Sequence, residues 1–180
     1  MVSIRNKLVL WTGQKHSGKT TSAAKLINVA HKEGFNIAGL LAPSIYQDGK
    51  LLGFDILDLR NKTRVPLTRR KSGQFIFFDE GLEFGRVVLS EAATEYVNLI
   101  IVDEFGPLEL NGQGWRKNID SLIASSNALI LLVVRRELAE SVCQLYADLT
   151  SIKLNAAEPK SIDKVTEMLR NHRQSQREIK

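Results

Sequence analysis

The chain has 180 residues, of which 43% are apolar, and its 25 Lys and Arg against 20 Asp and Glu give a formal net charge of +5. This length without a low-complexity tract predicts a single domain over 1–180. The longest uninterrupted apolar run, Ala128 to Val134, is too short to cross a bilayer, and the first one is too short for a signal peptide. We therefore expect a cytoplasmic protein that does not bind membranes.

The positive charge suits an anionic ligand and could also suit nucleic acid. Basic residues crowd a polar C-terminal segment that contains no aromatic residue: Arg170, His172, Arg173, Arg177 and Lys180. Single-stranded nucleic acid is usually bound on aromatic platforms. We interpret about 173–180 as a basic, frayed helix end, and we do not expect a nucleic-acid partner. A protein partner stays open.

A phosphate-binding loop follows the first predicted strand, about Lys7 to Trp11. Residues 13–20 read GQKHSGKT and match the Walker A pattern G-x-x-x-x-G-K-[ST]. The glycines permit a tight turn, while bare backbone N–H groups and the N-terminus of the next helix attract phosphate. The nucleotide-binding candidates are the loop and the residue after it: Gly13, Gln14, Lys15, His16, Ser17, Gly18, Lys19, Thr20 and Thr21.

Two loop side chains have specific predicted roles. Lys19 can reach the β- and γ-phosphates and is a catalytic candidate, and the Thr20 hydroxyl can bind Mg²⁺. Lys15 would add positive charge near the phosphates. We interpret His16 as a tolerated loop side chain, because phosphate contacts in such loops come from the backbone.

An antiparallel meander is predicted after the first helix, which ends near Gly34. Three runs are separated by the turn-rich segments QDGK and RNKT: Ile37 to Tyr46, Leu51 to Leu59 and Arg64 to Leu67. We interpret about 37–70 as a β-meander inserted after the second strand.

A short strand, Gln74 to Phe78, comes next. Its Phe75, Phe77 and Phe78 could stack on a nucleobase, but aromatic residues that alternate on a strand are usually core. Asp79 and Glu80 then begin a predicted helix, since acidic residues suit its positive end. This helix is expected to run through Tyr96.

The run Leu99 to Val102 predicts a strand buried on both faces, and it ends in Asp103-Glu104. Four apolar residues followed by an acid form a Walker B element. Asp103 is predicted to hold Mg²⁺ directly or through water, opposite Thr20. Glu104 could orient or deprotonate the attacking water.

A second buried strand, Ala128 to Val134, ends in Arg135-Arg136 on the expected ligand-binding edge. Either arginine could stabilise charge on the γ-phosphate, and either could instead face solvent or pair with Glu137 or Glu140. The other elements predicted in this half are helices at Gly114 to Ala124, Glu137 to Tyr146 and Ser161 to about His172, and a strand at Thr150 to Leu154. Trp115 is interpreted as packing.

The alternation of strands and helices predicts an α/β fold with a doubly wound, mostly parallel sheet. With the Walker A loop, this is the three-layer αβα architecture of P-loop NTPases, here with an inserted antiparallel β-meander. Ligands of such sheets bind beyond the carboxyl ends of the strands.

Several segments together resemble the small stand-alone P-loop nucleoside-triphosphatases of the THEP type. LLGFDILDLRNKTRVPLTRR is similar to that family's hairpin, FDEGLEFGRVVLSEA to its middle helix, and IIVDEFGPLEL to its extended Walker B segment. The resemblance covers about residues 8 to 136. It implies Mg²⁺-dependent hydrolysis of nucleoside triphosphates with loose base preference, and it gives Lys19, Thr20, Asp103 and Glu104 the roles described above.

Other functions stay open. The QKHS segment of the loop is more similar to the molybdopterin-guanine dinucleotide biosynthesis adaptor proteins, which bind GTP. A nucleotide or small-molecule kinase would use the same loop with a second substrate. A regulatory GTPase fits Asp103 to Gly106 as D-x-x-G, but no N-K-x-D element follows. A binding module without turnover is the remaining class.

Overall fold

A nine-stranded mixed sheet forms the centre of the computed structural model, which describes residues 7–94 and 96–178. The strands are β1 (Lys7–Gly13), β2 (Ile37–Leu41), β3 (Ser44–Gln47), β4 (Lys50–Asp58), β5 (Arg64–Lys71), β6 (Gln74–Phe77), β7 (Leu99–Phe105), β8 (Leu129–Arg135) and β9 (Thr150–Asn155). The helices are α1 (Lys19–Lys32), α2 (Asp79–Thr94), α3 (Pro107–Leu110), α4 (Arg116–Ser125), α5 (Ala139–Leu145) and α6 (Pro159–Glu178). A 3₁₀ turn at Arg136–Leu138 precedes α5.

The sheet has a parallel half and an antiparallel half. β2, β7, β8, β1 and β9 lie side by side in parallel, and β4, β5 and β6 continue from β2 in antiparallel pairing. β3 pairs with β4 outside this series. The predicted α/β class is confirmed, although the sheet is mixed rather than mostly parallel, because the meander strands extend it in antiparallel pairing. The phosphate loop follows β1, as expected.

The meander differs from the prediction at both ends. Ile37 to Tyr46 is not one strand, because Ala42 and Pro43 interrupt the extended backbone between β2 and β3. The break frees the Pro43 carbonyl to accept a hydrogen bond from the Asp55 amide, at 3.1 Å. β2 itself pairs in parallel with β7, so the antiparallel strands beyond it cover 44–77 rather than 37–70.

Two apolar layers explain why the central strands are apolar throughout. In β1, Leu8 and Leu10 face one layer, while Val9 and Trp11 face the other. Residues of α2, α4 and α5 cover the first layer, and residues of α1 and α6 cover the second. Trp115 belongs to the first layer and is 3% exposed, which confirms its packing role. A side chain at Gly85 would lie 2.5 Å from its indole ring.

The predicted helix end near His172 is wrong, because α6 continues to Glu178, and two of its basic residues contact the segment that follows α1. Arg170 forms an ion pair with Glu33 at 2.6 Å, and the Arg173 guanidinium stacks over the Phe35 ring at 3.8 Å. The side chain of Arg177 and the whole of Lys180 lie outside the described residues. No helix formed by residues 7–94 and 96–178 has the length and apolar character that a membrane span requires.

Candidate functional site

The phosphate loop closes on itself before α1 begins. The Ser17 amide donates to the Gln14 carbonyl at 3.2 Å, and Lys19 Nζ donates to the same oxygen at 2.7 Å. Gly18 has φ 78, a left-handed conformation that glycine adopts without steric cost. A side chain at Gly13 would lie 2.5 Å from Ser17 Oγ. The left-handed backbone favours glycine at Gly18, and any side chain at Gly13 would displace the Ser17 side chain.

Lys19 is half-buried at the end of this loop. Burial lowers the pKa of its ammonium group, while Glu104 and Asp103 act to raise it. The Gln14 carbonyl is a neutral partner, and hydrogen bonds to neutral groups are weaker than those to charged ones. An incoming phosphate would thus provide Lys19 with a stronger acceptor than the one it has.

Asp103 and Thr20 lie together, as the sequence predicted. Asp103 is 2% exposed, and its carboxylate accepts hydrogen bonds from the Thr20 hydroxyl and from the Ala42 amide, the latter at 3.1 Å. Burial raises the pKa of Asp103 to about 6, although these two donors act to lower it. The parallel β2-β7 pairing brings Ala42 beside this carboxylate.

Replacing Asp103 with asparagine should change how stability depends on pH. The folded state binds a proton at Asp103 more readily than the unfolded chain, so the wild type loses stability as pH rises from 3.8 to about 6. Asparagine is neutral and lacks this loss of stability, which is about 3 kcal/mol for a pKa that burial raises from 3.8 to about 6. Urea unfolding of both proteins at about pH 4 and about pH 7, without metal or nucleotide, measures the difference. If the free energy of unfolding changed with pH in the same way in both proteins, the raised pKa of Asp103 would be contradicted.

Glu104 pairs with Arg135 across neighbouring strands. Arg135 Nε donates to Glu104 Oε1 at 2.7 Å, and both side chains are about one-third exposed, 30% and 33%. The β1-β8 register places Arg135 opposite Gly13, at the start of the phosphate loop. Of the arginine pairings considered from the sequence, neither Glu137 nor Glu140 is the partner of Arg135.

Arg136 is not brought to the site. It begins the 3₁₀ turn, is exposed and does not line the cavity around the phosphate loop. The chain direction explains the difference, because Arg135 still belongs to β8 while Arg136 has left the sheet. Of the two arginine candidates, the structure places Arg135 alone beside Glu104.

A cavity of about 520 Å³ joins these groups, and we call it the phosphate chamber. It is lined by Lys15, His16, Ser17, Gly18, Lys19, Thr20 and Thr21 of the loop and first helical turn, and by Asp103, Glu104 and Arg135. Gly13 and Gln14 do not line the cavity, and the Gln14 carbonyl accepts its hydrogen bonds within the loop itself. The remaining lining comes from α1 and from the β2–β4 region.

Glu109 was missed by the sequence reasoning. It is 6% exposed, and its carboxylate accepts hydrogen bonds from the Gly106 amide at 3.0 Å and the Trp115 amide at 3.2 Å. Burial raises the pKa of Glu109, and these two bonds act to lower it. A glutamate three residues after Gly106 is the spacing of a capping box, which could have revealed it. Glu109 fixes the segment that follows Glu104.

The interpretation of the phenylalanines of β6, and of Phe78 directly after it, as core is wrong. Phe75, Phe77 and Phe78 are 37%, 44% and 39% exposed. β6 is the last strand at one edge of the sheet, so it lacks a neighbouring strand on one side. Alternation predicted a buried face, but the edge position leaves these rings partly in solvent.

The family to which the chain belongs indicates the class of enzyme. Residues 8–170 match the model of a family described as NTPase. The chain belongs to this NTPase family. The predicted THEP-type resemblance is confirmed, and the enzyme class is nucleoside-triphosphatase.

Curated relatives of this NTPase carry the name nucleoside-triphosphatase THEP1. The protein from Methanopyrus kandleri is 34% identical over 112 residues, which cover 59% of this chain and 62% of that protein. The protein from Methanothermobacter thermautotrophicus is 28% identical over 146 residues, which cover 74% and 79%. The matches thus span much of both chains.

Two solved structures share the fold. A human cancer-related nucleoside triphosphatase aligns with a TM-score of 0.68 and 22% identity, over 92% of this chain and 95% of that one. THEP1 from Aquifex aeolicus aligns with a TM-score of 0.64 and 17% identity, over 91% and 96%. At these identities, the likeness supports the fold of this NTPase and nothing finer.

Proposed function

We propose that this NTPase hydrolyses nucleoside triphosphates to diphosphate and phosphate in a Mg²⁺-dependent reaction with little base selectivity, in the cytoplasm. The contact between Thr20 and Asp103, with Lys19 and Glu104 lining the same chamber, carries this proposal. It joins the two halves of a phosphoryl-transfer site that are more than eighty residues apart in the sequence.

Thr20 and Asp103 fit a Mg²⁺ ion. Magnesium in nucleotide sites is held by one or two protein oxygens together with substrate phosphates, and a hydroxyl beside a buried carboxylate supplies such a pair. When bound, the ion would neutralise charge on the β- and γ-phosphates. Ionised Asp103 would gain a partner for its buried charge, which offsets the desolvation that raises its pKa.

Glu104 is assigned to the attacking water. Its carboxylate lines the phosphate chamber, and one hydrogen bond from Arg135 leaves its other oxygen able to accept a proton from water. Arg135 would keep the carboxylate oriented and place a guanidinium near the γ-phosphate. Lys19 would bind the β- and γ-phosphates.

The rest of the phosphate chamber supports loose base selectivity. Apart from the loop residues, Asp103, Glu104 and Arg135, its lining is mainly apolar or aromatic and includes one small polar residue, Ser44; the others are Ala24, Leu41, Ala42, Pro43, Tyr46, Phe54 and Leu57. Such surfaces contact the faces of any base, because stacking and apolar contact do not read hydrogen-bonding edges.

Phosphate release tests the proposal. ATP, GTP, CTP and UTP are offered separately, with and without Mg²⁺ and with no acceptor present. Release from several nucleotides that requires Mg²⁺ is expected. Nucleotide binding without release would instead support a kinase or an adaptor that awaits a second substrate or partner.

Arg135→Ala and Arg136→Ala form a matched pair. Loss of Arg135 should slow phosphate release by about 10- to 100-fold, because one guanidinium both orients Glu104 and faces the substrate. This decrease in rate is smaller than the one expected for a dedicated arginine finger, since the Arg135 side chain is 30% exposed and also forms an ion pair with Glu104. Arg136→Ala should leave turnover near the wild-type rate. Equal effects of the two substitutions in a steady-state assay would contradict the assignment.

A further inference from the structure

A second cavity, of about 600 Å³, adjoins the phosphate chamber, and we call it the aromatic chamber. Its walls come from β4, β5 and β6 and from the α3 segment. The residues that line both chambers are Lys15, His16, Ala42, Phe54, Glu104 and Arg135. If Glu104 faces the γ-phosphate, as the proposed function requires, the aromatic chamber opens from the γ-phosphate end of the bound triphosphate. The nucleoside of that triphosphate would therefore not occupy it.

Strand register explains the aromatic wall. Phe54, Thr68 and Phe77 lie opposite one another on β4, β5 and β6, and Arg70 lies opposite Phe75. Cross-strand partners project from the same face of a sheet, so three phenylalanines and one arginine share the face that lines this chamber. The rings of Phe54 and Phe75 are 5.5 Å apart and tilted. This arrangement accounts for the partial exposure of Phe75 and Phe77.

Among the described residues, two cations that line the aromatic chamber lack an ion pair: Lys15, at the boundary with the phosphate chamber, and Arg70, on the phenylalanine face. Glu104 is paired with Arg135, and both oxygens of Glu109 accept backbone hydrogen bonds. Arg70 is exposed, and among the described residues it has neither an ion pair nor a side-chain hydrogen bond. A ligand with a flat ring and a separate anionic group would satisfy both the phenylalanine face and this guanidinium.

We propose that the aromatic chamber is a second ligand site for a nucleoside monophosphate, with its base against Phe54, Phe75 and Phe77 and its phosphate on Arg70. The volume of about 600 Å³ lies within the range of small-ligand pockets, about 300–1,000 Å³. The site rests on the proposed function only for the position of the triphosphate. It adds a ligand that the hydrolysis of triphosphate does not need.

Calorimetric titration of monophosphate tests this site with the phosphate loop already filled. The protein is first saturated with Mg²⁺ and a non-hydrolysable ATP analogue, and binding of that analogue is measured by itself. AMP, GMP, CMP and UMP are then titrated separately. At least one should bind to the filled protein, while ribose 5-phosphate and the corresponding nucleoside should each bind more weakly, because each lacks one of the two recognised groups.

Neighbouring residues on the same strands supply the controls. Phe77→Ala and Arg70→Ala should each weaken monophosphate binding by about tenfold or more, as expected for lost stacking or a lost charge-assisted bond. Ile76→Ala and Lys71→Ala change adjacent side chains that do not line the chamber, and they should leave binding unchanged. All four positions lie on β5 and β6, and analogue binding reports that each variant is folded.

Two results would overturn the second site. One is that no monophosphate binds to protein that has bound the analogue, and the other is that Phe77→Ala and Arg70→Ala bind as tightly as their controls. Failure of the analogue itself to bind would instead contradict the proposed function. The two proposals can therefore fail separately.

Discussion

Glu104→Gln is expected to slow phosphate release by about 10²- to 10⁴-fold while Mg²⁺-nucleotide binding changes little. The amide keeps the size of the side chain and can still accept a hydrogen bond from Arg135 through its oxygen. It cannot take a proton from water, so the loss should fall on the chemical step. Single-turnover phosphate release and equilibrium binding of ATP, measured on the same protein, separate the two effects.

A nearby acid provides the control for Glu104. Glu137 is exposed in the turn after β8 and lines neither chamber, so Glu137→Gln makes the same change of charge outside the site. It should hydrolyse ATP at close to the wild-type rate. Turnover by Glu104→Gln equal to that of Glu137→Gln would remove Glu104 from the mechanism.

Lys19→Ala is expected to reduce kcat/KM on the order of 10³-fold, because it removes the cation that faces the β- and γ-phosphates. Its effect should differ from that of Glu104→Gln, since nucleotide binding is weakened as well. The substitution should not lower the free energy of unfolding. Lys19 is half-buried, burial of a charged ammonium is unfavourable and lowers its pKa, and alanine removes that cost.

Lys25→Ala is the matched control on the same helix, where Lys25 is exposed and outside the phosphate chamber. Thermal unfolding without nucleotide should be similar in the two variants. Nucleotide should raise the melting temperature of Lys25→Ala far more than that of Lys19→Ala. Equal stabilisation of both by nucleotide would contradict the role of Lys19.

The local parts of the site could be predicted from the sequence, because each depends on a few consecutive residues. The phosphate loop needs two glycines at fixed spacing, and Asp103 and Glu104 follow an apolar strand that must be buried. The positions of these residues at one sheet edge then follow from the topology of parallel α/β sheets. Their roles remain part of the proposed function.

The non-local parts could not be predicted in this way. The bond from Arg135 to Glu104 depends on β7 and β8 being neighbours, and the bond from Ala42 to Asp103 depends on β2 lying on the other side of β7. The phenylalanines of β6 have the same alternation as a core strand. Strand order, which the residues of β6 do not specify, places them at an exposed edge beside a cavity.

Hydrolysis in water labelled with heavy oxygen tests most directly the central claim, that water attacks the γ-phosphate of the bound nucleotide. Protein, Mg²⁺ and ATP are combined with no acceptor, and the products are analysed by mass spectrometry. We predict one labelled oxygen in each released phosphate and an unlabelled diphosphate. Label in the diphosphate, or no phosphate formed from bound nucleotide, would contradict the account.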